Sequence, residues 1–157
     1  MSDKRTEIEK ERKWILKDLP VLVPTKIYSI LQFYKDGWRY RVEQEFAKDP
    51  VYIKLKKVKL GEGINKEVDI ETIDSSTFYA NKTGTLKERR EISKKRYVYE
   101  INNLKFEVDV FENLCLTMME IEGVNIEDVI QFPIEIEEVL LIEVTGNKKF
   151  DNYNLGS

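Results

Sequence analysis

Polar and apolar residues alternate along most of the chain, and a period of two is typical of half-buried β-strands. The pattern predicts strands in the following stretches: Trp38–Glu43, Val51–Lys57, Glu67–Ile73, Tyr97–Ile101, Lys105–Phe111, Leu116–Glu122 and Leu140–Thr145. The segment Gly61–Asn65 and the pair Asn102-Asn103 have the residue types of turns, so each is predicted to separate two strands.

Two other stretches have helical features. Ser75–Arg90 follows a capping residue at Asp74 or Ser75, and Ile126–Glu138 follows Asn125, although Pro133 interrupts it. The chain has no internal repeat and no low-complexity linker. The expected fold class is therefore α+β, with one domain over residues 1–157 in which antiparallel strands predominate.

The N-terminal segment fits two readings. By its pattern alone, Asp3–Lys17 is an exposed helix rich in Glu and Lys. Its run of consecutive charges, Glu9–Lys13, would suit a strand only if one face of that strand lined a charged cavity. The pattern does not choose between the two.

The charge balance argues against a protein that coats nucleic acid. The sequence holds 26 basic and 29 acidic residues, so the strongly basic field expected for that role is absent. The single cysteine, Cys115, permits no intrachain disulfide and fits a reducing compartment. The sequence has no apolar run long enough for a membrane span and no signal-peptide pattern, so we expect a cytoplasmic protein without membrane contact.

The absence of histidine narrows the possible chemistry further. It removes catalytic triads and pairs that need histidine, as well as histidine-based zinc sites. Catalysis would have to use carboxylates, lysines, tyrosines or a metal ion held by oxygen. Carboxylate oxygens favour hard ions such as Mg²⁺, Mn²⁺ or Ca²⁺.

Like charges recur two residues apart, which places them on the same face of a strand. Acidic sets of this kind are Glu9/Glu11, Glu67/Asp69/Glu71, Glu107/Asp109 and Glu120/Glu122, and basic pairs are Arg39/Arg41, Lys54/Lys56 and Lys94/Arg96. Any one set could be the solvated face of a strand. Acidic and basic strands that face one interior would neutralise each other and could bind a complex of metal and polyphosphate.

The order of these motifs resembles the CYTH, or triphosphate tunnel metalloenzyme, family. In chain order the matches are ExExK at Glu9–Lys13, RxR at Arg39–Arg41, the strand Ile53–Lys56, KxRY at Lys94–Tyr97, E-x-D-x-F at Glu107–Phe111, ExE at Glu120–Glu122, and EVT…N…L at Glu143–Leu155. Gln32 and Tyr34 are also placed as in the family. The resemblance covers nearly the whole chain.

The resemblance implies a closed eight-stranded antiparallel β-barrel, the triphosphate tunnel, with a few flanking helices. It also implies three overlapping sets of site residues. The implied metal ligands, for Mg²⁺ or Mn²⁺, are Glu9, Glu11, Asp109, Glu120 and Glu122; the triphosphate ligands are Lys13, Arg39, Arg41, Lys56, Lys94 and Arg96; and the catalytic residues are Glu9, Glu11, Lys13, Glu120 and Glu122.

The implied activity is hydrolysis of inorganic tripolyphosphate or another small triphosphate by a monomer or homodimer. Class IV adenylyl cyclases belong to the same family, so formation of cyclic AMP and pyrophosphate from ATP is an alternative. A non-catalytic protein that binds nucleotides or polyphosphate is a second alternative. It is kept open by Asn65, which stands where the family has an arginine two residues before Glu67.

Overall fold

The computed structural model describes residues 5–83, 90–112 and 114–156. Eight strands form a closed antiparallel barrel, and a ninth strand adds to its first strand. The strands are β1 (Arg5–Leu16), β2 (Lys26–Lys35), β3 (Trp38–Glu45), β4 (Val51–Gly61), β5 (Ile64–Ile73), β6 (Arg90–Ile101), β7 (Leu104–Phe111), β8 (Thr117–Glu122) and β9 (Leu140–Glu143). Around the barrel the order is β5-β4-β3-β2-β6-β7-β8-β1, and β1 closes it by pairing with β5. The predicted fold class is confirmed.

Strand β1 completes the barrel because its two halves use different partners. Residues Arg5 to Lys10 pair with β5, whereas Glu11 to Leu16 pair with β8. Strand β9 pairs with Trp14–Leu16, alongside the half of β1 that β8 holds on its other edge. The helix suggested by the pattern of Asp3–Lys17 is therefore wrong for the described residues of this segment. Its residues alternate in direction: Glu11 and Lys13 face the polar interior, whereas Trp14 and Leu16 join the apolar layer outside the barrel.

The main hydrophobic core lies outside the barrel, between the strands and the segments that cover them. Trp14, Phe106, Val108 and Met119 belong to one buried cluster, which the segment around Ile136 covers. Phe33 and Tyr40 form a second cluster with Phe78 of helix α1 (Ser75–Thr83). Because these apolar side chains occupy the outward positions of their strands, the intervening positions are directed into the barrel.

The helices are shorter than predicted. Asp74 caps α1 by accepting a hydrogen bond from the Thr77 amide at 2.7 Å, but Arg90 belongs to β6, so the helix does not extend to that residue. The predicted helix Ile126–Glu138 is wrong except for α2 (Ile134–Glu137), which begins directly after Pro133. Near the C-terminus, a 3₁₀ turn (Lys148–Phe150) leads into α3 (Asn152–Leu155).

The C-terminal segment closes one end of the barrel. Phe150 and Leu155 pack against an inward-facing apolar cluster of Ile92, Phe111 and Met118. We call this apolar cluster the C-terminal plug. Beyond it, the inward positions are polar and charged, so the barrel is a polar channel with the plug at one end.

Two turns behave as their sequences predict. Asn102 and Asn103 both have positive φ, 51° and 64°, and they join β6 to β7 in a tight hairpin. In the turn between β4 and β5, Gly63 has φ 72°, and a Cβ there would lie 2.8 Å from the carbonyl oxygen of Glu11. Only glycine allows this approach, through which the turn fixes the backbone of Glu11 by a 2.9 Å hydrogen bond from the Glu11 amide to the Gly63 carbonyl.

Candidate active site

The barrel interior carries an unusual density of charge. Side chains of both signs are buried there, and they come from six different strands: Glu11, Lys13, Arg39, Glu67, Lys94, Arg96, Glu107, Asp109 and Glu120. Each sits among inward-facing partners, because an isolated buried charge would be too costly. The arrangement matches the predicted interior in which acidic and basic strands neutralise each other.

The interior contains two cavities that share the side chain of Arg39. The first cavity, of about 250 Å³, lies beside the C-terminal plug and is lined by Glu11, Lys13, Lys57 and Lys59, with Tyr34 and Tyr153 on its wall. The second cavity, of about 230 Å³, is lined by Arg41, Arg96, Glu9, Glu67, Glu107 and Glu122, among others. The first is thus rich in cations, and the second mixes both signs.

A tight ion-pair cluster holds two of the predicted phosphate ligands. Asp109 accepts hydrogen bonds from Lys94 Nζ at 2.7 Å, from Arg96 Nε at 2.7 Å and from Arg96 Nη2 at 2.9 Å. Arg96 Nη1 also donates to Glu107 Oε2 at 3.1 Å. Burial would raise the pKa of Asp109, but the charges of Arg96 and Lys94 outweigh it and lower that pKa. Both oxygens of Asp109 are engaged by cations, which suits an orienting role better than metal ligation.

Arg39 and Arg41 are oriented by different partners. Arg39 Nη2 donates to Glu67 Oε2 at 2.8 Å. Arg41 donates from Nε and Nη2 to Gln32 Oε1, and from Nη1 to Glu43 Oε1 at 3.0 Å. Both side chains line a cavity, and guanidinium groups are suited to recognising phosphate oxygens.

The acidic residues of β1 and β8 face one another across the strand pair. The register places Glu11 opposite Glu122 and Lys13 opposite Glu120. The charge of Glu120, together with burial, raises the pKa of Glu11 to about 7. Burial and the neighbouring Glu107 carboxylate raise the pKa of Glu122 to about 8. Burial also raises the pKa of Glu9. Glu120 behaves differently, because Lys13, Arg96 and Lys94 outweigh burial and lower its pKa.

Two buried atoms point to ligands of opposite charge. Arg39 Nε is a buried donor, and Glu107 Oε1 a buried acceptor, and neither has a hydrogen-bond partner among the described residues. A phosphate oxygen would satisfy the first atom and a cation the second. The acidic side chains of the interior offer carboxylate oxygens as metal ligands, which fit Mg²⁺ or Mn²⁺. In the observed side-chain positions, however, no three acidic groups of the described residues converge closely enough to hold one ion.

One predicted phosphate ligand lies on the outer face of the barrel. Lys56 faces outward, with its Nζ 4.4 Å from the centre of the Trp38 ring, and Lys54 stacks on the same ring from 4.1 Å. The register pairs Leu55 with the inward-facing Arg39, so the inward positions of β4 continue to Lys57. The prediction that Lys56 faces the interior is therefore wrong, and the structure places Lys57 on the lining of the first cavity.

A β-bulge breaks the predicted acidic triple on β5. Asp69 has φ 52°, and the β4–β5 register shifts there, so Lys54 pairs with Glu71 and Lys56 with Val68. Glu67 and Ile70 both line the second cavity, whereas Glu71 falls on the other face. Before the bulge, Lys66 pairs with Val58 and Ile8 and is not among the residues that line either cavity. Asn65 lines the first cavity instead and donates to Glu11 Oε1 at 3.2 Å.

The structure gathers the remaining predicted residues around this interior, namely Glu9, Glu11, Lys13, Arg39, Arg41, Lys94, Arg96, Asp109, Glu120 and Glu122. Residues outside the predicted site also line it, above all Lys57, Lys59, Glu67 and Glu107. The spacing of Lys57 and Lys59 resembles that of Lys54 and Lys56 and could have indicated a second basic face. Asn152 and Tyr153 join the site only through the fold, since α3 lies far from it in sequence.

Comparison with solved structures shows which proteins share this fold. The crystal structure of the inorganic triphosphatase NE1496 aligns with a TM-score of 0.61 and 21% identity over 94% of this chain and 93% of that chain. Another crystal structure of NE1496, described as a hypothetical protein, aligns with a TM-score of 0.61 and 22% identity over 94% and 97% of the two chains. A hypothetical protein from Pyrococcus furiosus aligns with a TM-score of 0.50 at 16% identity, over 83% and 84%.

The likeness to NE1496 extends over nearly the whole chain, so the expectation of a triphosphate tunnel fold is confirmed. At such low identity it shows the fold alone. No protein-family model matches the sequence, and no curated protein matches it either. Within the described residues, no helix has the length and apolar character required to cross a membrane.

Proposed function

We propose that this chain is a triphosphate hydrolase that uses Mg²⁺ or Mn²⁺ to cleave inorganic tripolyphosphate or another small triphosphate. The observation that carries the proposal is Arg39 Nε, a buried donor with no hydrogen-bond partner among the described residues, in a side chain that lines both cavities. Lys13, Lys57 and Lys59 line the first cavity with Arg39, and Arg41 and Arg96 line the second together with carboxylates. The shared fold with NE1496, an inorganic triphosphatase, adds support.

The first cavity has the charge that a triphosphate requires. Lys13, Arg39, Lys57 and Lys59 line it, against the acidic Glu11 and Asp151. Guanidinium forks and ammonium groups bind the oxygens of a polyphosphate and stabilise charge that develops during phosphoryl transfer. Because Arg39 lines both cavities, its guanidinium group would contact phosphate groups in the first cavity and any phosphate group that extends into the second.

The carboxylates next to this cavity supply the ligands for an ion. Glu9 and Glu11 on β1, with Glu120 and Glu122 on β8, are the residues that would hold it. Glu107 adds an oxygen that accepts no hydrogen bond from the part of the chain that the structure describes. A bound divalent ion would neutralise phosphate charge and promote the ionisation of water. Asp109 would keep Lys94 and Arg96 in place instead of binding the ion.

The proposed hydrolysis needs little covalent chemistry from the protein. A water oxygen attacks the terminal phosphorus, and the bond from that phosphorus to the bridging oxygen breaks with its electron pair left on that oxygen. The products are pyrophosphate and phosphate, and the proton lost by the water passes to solvent. The chain's own contribution is to hold the triphosphate against Arg39 and the lysines, so that the terminal phosphorus is oriented for in-line attack. Arg39 would also stabilise charge on the departing bridging oxygen.

The test is a product assay with purified protein, Mg²⁺ or Mn²⁺, and either tripolyphosphate or ATP. Pyrophosphate and phosphate from tripolyphosphate are the expected products. The double variant Glu9→Gln/Glu11→Gln should remain folded but lose metal-dependent turnover. Cyclic AMP and pyrophosphate from ATP would instead identify a cyclase. Absence of turnover on both substrates would refute hydrolysis of tripolyphosphate. Full activity of the double variant would refute the metal site.

A further inference from the structure

Lys57 occupies a distinctive position within the acidic part of the site. Its Nζ lies 3.6 Å from Glu9 Oε2 and 3.6 Å from Glu11 Oε1. Glu9 and Glu11 project from the same face of β1 and repel each other when both are ionised. The ammonium of Lys57 is therefore a positive charge that these two carboxylates share.

The fold makes this placement obligatory. Lys57 sits on β4 opposite Glu67 of β5, and β5 lies between β4 and β1. The β3–β4 register directs Leu55, and hence Lys57, into the barrel. The neighbouring basic residues Lys54 and Lys56 are held on the outer face by the Trp38 ring, so they cannot substitute for Lys57.

The contacts of Lys57 are looser than those of the interior lysine Lys94. Lys94 is fully buried and donates to Asp109 at 2.7 Å, the length of a charge-assisted hydrogen bond. Lys57 remains at 3.6 Å from both carboxylates, and 31% of its side chain is exposed. A long, flexible ammonium side chain with such contacts can leave at small cost and find other partners.

We propose that Lys57 is a counter-cation of the Glu9–Glu11 pair, which competes with a divalent ion for these carboxylates and binds the triphosphate when displaced. The inference rests on the proposed function, because it assumes that Glu9 and Glu11 hold the ion. Lys57 already lines the first cavity beside Lys13 and Arg39, where its ammonium can reach phosphate oxygens. Lys57 is thus a positioning residue in the absence of ligand and a substrate ligand in its presence.

This double role predicts effects of opposite sign from one substitution. Lys57→Met keeps the length of the side chain and removes its charge. Binding of Mn²⁺ alone should become tighter, by roughly tenfold, because the competing charge of a loose ion pair is gone. The KM for tripolyphosphate should rise, also by roughly tenfold, because one phosphate contact is lost. If Lys57 had a merely structural role, its substitution would instead weaken the binding of Mn²⁺ as well as the binding of tripolyphosphate.

The experiment titrates Mn²⁺ into each protein and measures free Mn²⁺ by electron paramagnetic resonance. All samples are measured at about pH 8.5, where Glu11, whose pKa is raised to about 7, is ionised. The variants are Lys57→Met, Lys57→Arg, which keeps the charge, and the matched control Lys54→Met on the outer face of the same strand. Lys57→Arg and Lys54→Met should bind Mn²⁺ as the unmodified protein does. KM for tripolyphosphate is measured on the same samples, and thermal unfolding checks that each variant is folded.

The outcomes separate this inference from the proposed function. Unchanged or weaker Mn²⁺ binding by Lys57→Met, with normal binding by the unmodified protein, would overturn the competition. An unchanged KM would overturn the role in substrate binding. If none of the proteins binds Mn²⁺, the metal site itself fails and the inference fails with it. Tighter Mn²⁺ binding together with a raised KM in Lys57→Met alone would establish both roles.

Discussion

Replacing Asp109 by asparagine tests whether this residue orients cations or binds metal. Asp109 is nearly inaccessible to solvent, and it accepts three charge-assisted hydrogen bonds from Lys94 and Arg96. Asparagine keeps one acceptor oxygen, but its amide group would face a donor. The buried cations Lys94 and Arg96 would then lose the negative charge that they share. Arg96 would keep its hydrogen bond to the Glu107 carboxylate.

The expected cost follows from this arrangement. Removing one member of a buried ion pair typically lowers the free energy of unfolding by about 3–5 kcal/mol. With a urea m-value of about 2 kcal/mol/M, the unfolding midpoint should fall by about 2 M. The measurement is urea unfolding at about pH 7, with a chelator present so that no metal contributes.

Two further measurements separate charge loss from general disruption. Burial lowers the pKa of Lys94 to about 8, and loss of the Asp109 charge would lower it further. Lys94 could then become neutral, so the penalty should shrink at about pH 9.5. The double variant Lys94→Met/Asp109→Asn should lose less stability than the sum of the two single variants, because they share one interaction.

A loss below about 1 kcal/mol in chelator would refute the view that Asp109 neutralises the two cations. If Asp109→Asn were stable without metal but bound Mn²⁺ much more weakly, Asp109 would be the metal ligand that the family resemblance implies.

Two other predictions concern stability. In chelator, the free energy of unfolding should fall as pH rises from about 5 to about 8. The folded state raises the pKa of Glu11 to about 7 and that of Glu122 to about 8, so it binds protons over this interval more tightly than the unfolded state does. A rise in the free energy of unfolding over the same interval, measured by urea titration, would contradict this prediction. Phe78→Ala should cost about 3–5 kcal/mol in urea unfolding, because this fully buried ring packs on Phe33 and Tyr52; a cost near zero would show that α1 contributes little to the fold.

The strands were predictable because their alternation survives in the structure. Every predicted strand is present, and turns such as Asn102-Asn103 lie where their residue types predict. Most bounds differ by a few residues, but the strand predicted from Tyr97 begins at Arg90. Strand β2 (Lys26–Lys35) was missed as an element, although Gln32 and Tyr34 were recognised. The order of motifs, rather than any single pair, indicated that the charges share one interior.

The face of β4 could not be read from local pattern. Its lysines form two interleaved sets, Lys54/Lys56 and Lys57/Lys59, and both satisfy the spacing of two. The choice is made by cross-strand register, which sets Leu55 opposite Arg39, and by Trp38, which holds the other set outside. Neither constraint is local in sequence.

The prediction that Glu67, Asp69 and Glu71 share one face of β5 was wrong for a related reason. Asp69 has a left-handed backbone conformation at a β-bulge, which adds one residue to the strand, so the residues after the bulge face the opposite side from the one predicted.

The predicted helix before Pro133 was wrong for a different reason. Its apolar residues Ile130 and Phe132 pack against the outer core from a segment without regular secondary structure.

The way β1 closes the barrel has a consequence for how the molecule folds. Arg12 bonds to Glu143, which is 131 residues away in the chain, and the rest of this half of β1 pairs with β8. Contacts of such long sequence separation require much loop entropy to be lost before they form, so they slow folding. The charged face of β1 would gain its counter-charges only at that step. We therefore expect barrel closure to be the late, rate-limiting event, with the meander β2–β5 able to pair beforehand.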